Sequence, residues 1–485
     1  MLKFNLNYFY IFTFIMLFCF QCFVVPFGGK YIIIGSLLMI FSFIFAIIKN
    51  YKHFLFRIKE FLNNKNSILF SLFILWIILS GLILIVLGKT SLKITGGHIL
   101  TGIVYSVIFP LFYGFFITKE IGAKNIIKIL LIALYGMLLF GLFDFIIFYF
   151  DILPLKKIYW FFVNSQTLRD NIEARTITLL GIPRIRSTFY EPGVYSYFLA
   201  LILPFIYFYC FSKYTLFKHK QEILIKKTLP ALTWFNIIFT LSPIGIIMSI
   251  ISSFIYYIKI HKLKLKNVIA FLISGLVVLM GLFVFSKTTS VGEKVFSRIF
   301  SIVYLFSDFS TFAMIESSLA TRIVYYVNCT IVGFKNIILG VGWGHLGLDL
   351  TKQLQISPLP LTHENYFVYF VKGSDSTSYV LSFAYAIFGS TGLLGFALFY
   401  TWIVKIYKKL QKLLRVIKYN IDNLFIKILS IYLILFILYS FYESPVYYPY
   451  YWLIFGIIIA YISEIKKYIM IRRGNDACIN NCPDL

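Results

Sequence analysis

The chain has 485 residues, 60% of them hydrophobic and only 13% charged, with 55 Phe and 36 Tyr, and its mean hydropathy is +0.87. So much apolar surface excludes a soluble globular enzyme, and so little charge excludes a disordered chain. Its 45 Lys and Arg against 19 Asp and Glu give a formal charge of +26, which points to nucleic acid only if the charges are clustered for it.

Stretches of about 18 or more mostly apolar residues, enough to cross about 30 Å of hydrocarbon, predict about twelve transmembrane helices. They lie near 6–27, 31–48, 67–88, 99–118, 125–150, 193–212, 228–242, 243–259, 267–286, 387–406, 424–441 and 446–463. The expected fold class is therefore an all-α polytopic membrane protein. The first span follows Lys3 and shows no small-residue cleavage site before "VVPFGGK", so it reads as a retained span rather than a signal peptide. The seventh and eighth share one apolar run broken at Ser242 and Pro243, which predicts a re-entrant or tightly turned pair.

Charge placement gives the orientation. With the N-terminus inside, basic runs such as "KNYKHFLFRIKEFLNNKN", "SKYTLFKHKQEILIKK" and "KIYKKLQKLLRVIK" all fall on the cytoplasmic side. About 27 basic residues occupy roughly 95 inside loop residues, against about 16 in roughly 170 outside. Topology and anionic lipid thus account for the positive charge without nucleic acid. Both termini are expected in the cytoplasm. The organisation reads as five spans (1–150), a large outside loop (151–192), four central spans (193–286), a second large outside loop (287–386), and three spans with a cytosolic tail (387–485).

The six cysteines do not form a disulfide framework, since Cys19, Cys22 and Cys210 fall in spans, Cys329 is alone outside, and Cys478 and Cys482 lie in the tail. Asp144, within the fifth span, is either a functional intramembrane acid or a partner-satisfied structural one. The last outside turn, "FYESPVYYPYYW", sets Glu443 among tyrosines and reads chiefly as an interfacial aromatic belt. His53, His219 and His261 are cytosolic on this topology.

The two outside loops carry the candidate chemistry. The first ends in "GIPRIRSTFYEPGVYSYFLA", which places Arg184, Arg186 and Glu191 at the water–lipid boundary. Charges there must pair or bind something, and a guanidinium is shaped for phosphate oxygens. Pro192 suits a first helical turn, so Glu191 stands near a helix N-terminus that favours its charged form. An Arg–Glu pair anchoring the loop is the plainer alternative. The second loop holds "ATRIVYY" with Arg322, "GVGWGHLG" with Gly340, Gly342 and Gly344, and "LTHENYFVYF" with His363, Glu364 and Asn365. His363 is a candidate general base, or a capping residue. The glycines permit close backbone approach but match neither a P-loop nor a dinucleotide fingerprint.

In order and spacing, Arg186 with Glu191 and Pro192 at the head of a middle span, then "TLSPIG", "TRIVYY", "GVGWG", "HENYF" and "FGSTGLLG", resemble the Wzy-type O-antigen polymerases. That family belongs to a superfamily with the O-antigen ligases. The resemblance covers roughly 180 to 408 by motif. It implies a GT-C-like helical membrane fold with two large periplasmic loops, in the bacterial inner membrane. It further implies inverting glycosyl transfer without metal or cofactor, on undecaprenyl-pyrophosphate-linked oligosaccharide and polysaccharide. By the same resemblance Arg186, with Arg184 as alternate, and Arg322 would hold the donor pyrophosphate. His363 would orient or deprotonate the acceptor hydroxyl, and Gly342, Gly344, Glu364 and Asn365 would line the substrate. In this chain Glu364 separates His363 from Asn365, whereas the family more often has Asn directly after His, so Glu191 stays a rival for the base. Implied partners are membrane lipids, a flippase and a chain-length-regulating co-polymerase. A ligase handing glycan to lipid A core, and a lipid-linked oligosaccharide flippase, are the alternatives.

Overall fold

A computed structural model describes residues 6–19, 24–27, 30–162, 184–189, 192–212, 215–260, 280, 301–366, 370, 382–417, 421–443 and 448–475. In chain order it runs α1 (Leu6–Cys19), a hairpin of β1 (Val24–Phe27) and β2 (Lys30–Ile33), α2 (Ile34–Leu62), α3 (Ile68–Val86) and α4 (Leu92–His98). A π-helical turn set (Ile99–Ile108) leads into α5 (Phe109–Ile121), followed by α6 (Ala123–Tyr149), α7 (Leu153–Phe162), α8 (Pro192–Phe211), α9 (His219–Phe239) and α10 (Pro243–Ile260). Short helices α11 (Tyr304–Ser307) and α12 (Phe309–Ile315) precede α13 (Ser317–Lys335), α14 (Leu346–Leu354) and the single turn α15 (His363–Tyr366). The long helices α16 (Phe383–Val416), α17 (Ile421–Ser440) and α18 (Pro449–Asn475) close the bundle.

Among the described residues the protein is helical apart from that hairpin, and seven of their helices are long and apolar enough to cross a membrane. Three further apolar helices, Asn7–Cys19, Ile244–Ile260 and Pro449–Ile465, are shorter. Helices occupy eleven of the twelve predicted spans, and 267–286 falls outside the described residues except for Met280. The first span needs correction. Its helix closes at Cys19, and Val24–Phe27 instead pairs antiparallel with Lys30–Ile33. Pro26 has no N–H for a continuing helix, and the Gly28–Gly29 sequence favours a hairpin, but a long apolar run conceals both signals. The break at Ser242 and Pro243 is a tight turn between α9 and α10, with Leu241 at φ 48°.

Helix α8 is the centre of the bundle: 83% of its apolar window is buried, against 28% for α2, whose apolar side chains remain at the surface. Glycines set the closest crossings. A Cβ on Gly114 of α5 would strike the Leu453 carbonyl of α18, and one on Gly456 would strike the Leu111 carbonyl.

One helix is interrupted where the extramembrane segment meets it. At Gly392, φ 66° and ψ −169° break α16, freeing carbonyls that a continuous helix would have occupied. They are taken up from elsewhere: Val341 N donates to Gly389 O at 3.0 Å, Gly342 N to Ser390 O at 2.9 Å, and Trp76 Nε1 to Thr391 O at 2.8 Å. Leu393 N donates in return to Ile337 O at 2.7 Å.

The bundle has two unlike ends. At the basic end Arg57, Glu60, Lys119, Glu120 and His53 form a lattice of ion pairs between α2 and α5. At the opposite end, here the loop end, the 184–189 segment, the α9–α10 turn, the 301–366 segment and the α17–α18 connection are joined by the contacts described next.

Candidate active site

Two clusters build the loop end. In the first, the 184–189 segment threads between helix ends, each backbone group finding a specific acceptor or donor. Ile185 N donates to Phe239 O at 2.8 Å and Arg184 Nε to Thr240 O at 2.9 Å. Asp144 Oδ2 accepts from Arg186 N and Ser187 N, both at 3.0 Å. Ser187, at φ 52°, donates its hydroxyl to Met137 O, and Thr188 bonds Cys19 O. The intramembrane acid thus has a structural duty: it receives the backbone at the bend that carries Arg186. Arg186 itself is 1% exposed, so its guanidinium is enclosed rather than presented to solvent.

The second cluster centres on Arg322 in the first turns of α13. Its Nη1 donates to Tyr442 O at 3.1 Å and to Glu443 Oε2 at 3.3 Å, and its guanidinium lies 4.6 Å from the Tyr442 ring centroid. Tyr326 O–H donates to the same Tyr442 carbonyl at 3.0 Å, and the Tyr326 ring stacks on Tyr385. Burial alone would weaken the positive charge, but Tyr442 and Glu443 hold the Arg322 pKa well above its ordinary value. An always-charged guanidinium is thereby kept in a place poor in water.

The neighbouring residue ties the histidine segment to this cluster. Thr321 Oγ1 meets Thr362 Oγ1 at 2.6 Å. Asn365 is fully buried: its Oδ1 accepts from Thr362 N at 3.2 Å and from Thr362 Oγ1 at 2.8 Å, while Nδ2 donates to Thr321 O at 3.2 Å. Two of these bonds close the 362–366 turn on itself, and the third fastens it to α13. His363, first residue of that turn, is exposed. The sequence therefore brings Arg322, His363 and Asn365 to one place, with Asn365 as the fastener rather than an available ligand.

The two clusters meet across the first turns of α8. Tyr195 faces Phe189 of the first at a 5.3 Å ring separation, and Tyr197 faces Tyr442 of the second at 5.3 Å. Glu191, which immediately precedes α8, lies outside the described residues, as does the side chain of Glu364. Gly342 and Gly344 occupy a different location. They have φ of 91° and 93°, Gly342 lies against Leu84 and Thr90, and Gly344 lies against the His98 ring. They pack closely there, Gly342 against the α3–α4 connection and the broken helix and Gly344 against the end of α4.

Sequence reasoning overlooked Glu443 and Tyr442 as members of this site. The available signal was an acid in a turn otherwise made of apolar and aromatic residues, opposite an outside loop with an arginine to pair. Among the described residues, no three His, Cys, Asp or Glu side chains gather as a metal-ligating group. No protein-family model and no curated protein matches the chain. What stands is therefore the class: an all-helical polytopic membrane protein with a buried arginine–carboxylate site beside an exposed histidine.

Proposed function

We propose that this protein is a surface-polysaccharide polymerase of the Wzy type. It would be a GT-C-like enzyme of about twelve spans in the bacterial inner membrane, with both termini cytoplasmic and the loop end periplasmic. The observation that carries the reading is the pairing of a buried, permanently charged Arg322 with an exposed His363 through Thr321, Thr362 and Asn365. One group neutralises a leaving phosphate and the other takes a proton, which are the two needs of a glycosyl transfer from a lipid pyrophosphate.

In the proposed step, a hydroxyl at the non-reducing end of a lipid-linked repeat unit attacks the anomeric carbon of the growing glycan. The new C–O bond forms as the bond to pyrophosphate oxygen breaks. The electron pair departs with the pyrophosphate, and His363 receives the hydroxyl proton, with inversion at carbon. Arg322 exchanges its Glu443 contact for the pyrophosphate, and the Arg184–Arg186 bend supports the same charge from across α8. Binding both glycans at one site supplies proximity.

The test is polymer formation from a purified undecaprenyl-pyrophosphate repeat unit, with chelator present, by the native protein and by Arg186→Ala, Arg322→Ala and His363→Ala at matched expression. Ladders from the native protein alone are expected. Ladders appearing only when lipid A core is supplied as acceptor would make the protein a ligase. Translocation without any transfer would make it a flippase.

A further inference from the structure

A polar cavity of about 170 Å³ opens between the last turn of α13 and helix α14, well away from Arg322. Lys335, Lys352, Asp349, Asn336 and Gln353 supply its polar groups, and Val332 and Ile356 form apolar walls. Gln353 is 5% exposed and its amide is fixed in orientation. Its Oε1 accepts from Lys335 Nζ at 2.7 Å and its Nε2 faces Asn328 Oδ1 at 3.4 Å. Asn328 is anchored in turn to Val324 O and Ser357 Oγ.

The chemistry of this cavity is that of a sugar bearing an acid. The Gln353 amide, bonded to Lys335 and Asn328, sets the Lys335 ammonium in place at the cavity, and small apolar walls suit the C–H face of a pyranose ring. Two ammonium groups outnumber one carboxylate. Burial raises the Asp349 pKa, with Lys352, His345 and Lys89 pulling it back. Lys335 stands in the last turn of α13, where the helix carbonyls favour a cation. At 1.5 Å per residue, the stretch from Arg322 to Lys335 spans about 20 Å, a few sugar units along a glycan.

We infer that this cavity is a subsite for a carboxylate-bearing sugar of the glycan, set a few residues from the pyrophosphate end. Its place on the glycan rests on the polymerase reading; its ligand chemistry does not. The test uses the full chain in nanodiscs of phosphatidylcholine, with calorimetric titration of a short oligogalacturonate and of the same oligomer with its carboxylates methyl-esterified. The ester should bind at least about tenfold more weakly. Replacing both lysines, Lys335→Gln with Lys352→Gln, should cost the acid a similar factor, while Lys335→Arg with Lys352→Arg should retain most of the affinity. Equal affinity for acid and ester, or indifference to loss of both lysines, overturns the subsite. So does displacement by nanodiscs containing phosphatidylglycerol, which would assign the cavity to a lipid headgroup. Acid-selective binding by a protein that forms no ladders would defeat the polymerase and leave the subsite standing; ladders without acid selectivity would do the reverse.

Discussion

The arginines at the two ends of the bundle are held in contrasting ways. At the basic end Arg57 contacts both Glu60 and Glu120, Lys119 shares Glu60, and His53 shares Glu120, with side-chain exposures from 10% to 42%. At the loop end Arg322 meets the Glu443 carboxylate, the Tyr442 carbonyl and the Tyr442 ring, and both partners of that ion pair are nearly buried, at 14% and 10%. A redundant, half-wet lattice tolerates the loss of any member, because water and a neighbouring charge take over. A drier pair is less tolerant, because little water reaches the charge that remains. That sensitivity is what a site needs if an incoming phosphate is to compete for the arginine.

The largest effect should come from the arginine itself. Arg322→Lys keeps the charge but loses the planar guanidinium that lies over the Tyr442 ring and can offer a second nitrogen to a phosphate, and polymer yield should fall at least about a hundredfold, on the scale of a lost transition-state contact. Near-native ladders from that variant would show that Arg322 acts only as a point charge. Next comes Glu443→Gln, which leaves Arg322 buried without its counter-charge and should cost about 3–5 kcal/mol in a denaturation series. A loss no greater than that of a basic-end variant would erase the contrast between the two ends.

A smaller effect concerns acidity. The His345 ring is 5% exposed, its Nε2 has no hydrogen-bond partner among the described residues, and burial lowers its pKa below 6.5, against the pull of Asp349. Because the fold prefers the neutral ring, its contribution is complete above about pH 6.5 and is lost as pH falls from there towards the lowered value. Thermal melts followed by Trp fluorescence should drop across that window in the native protein and stay flatter in His345→Gln. The smallest effect is expected at the basic end: Glu120→Gln should change stability by no more than about 1 kcal/mol, even though it touches both His53 and Arg57.

How much of this was legible beforehand depended on range. Among the described residues the apolar stretches marked helices because length and hydropathy are local properties, whereas the hairpin after Cys19 was hidden in a run that stays apolar whatever its backbone does. Arg322 and His363 could be picked out by residue type and order. Their fastening by Asn365 could not, because Asn365 looked like a ligand until its three bonds to Thr321 and Thr362 were seen. Glu443 was set aside as part of an aromatic belt, since nothing in one sequence links positions 322 and 443. The glycines of "GVGWG" were noticed for the right reason, close approach, but the approaching surface is the protein's own broken helix.

That broken helix limits how the molecule can be divided. The carbonyls of Gly389 and Ser390 accept from Val341 N and Gly342 N where the helix is interrupted, and a buried carbonyl left without a donor is costly. Excision of residues 301–366 would therefore damage both products: the fragment would lose its seat on the broken helix, and the helix the donors that meet its carbonyls. The two parts are therefore expected to fold together, and a variant that undocks Val341 and Gly342 should lower the yield of the whole chain rather than of that segment alone.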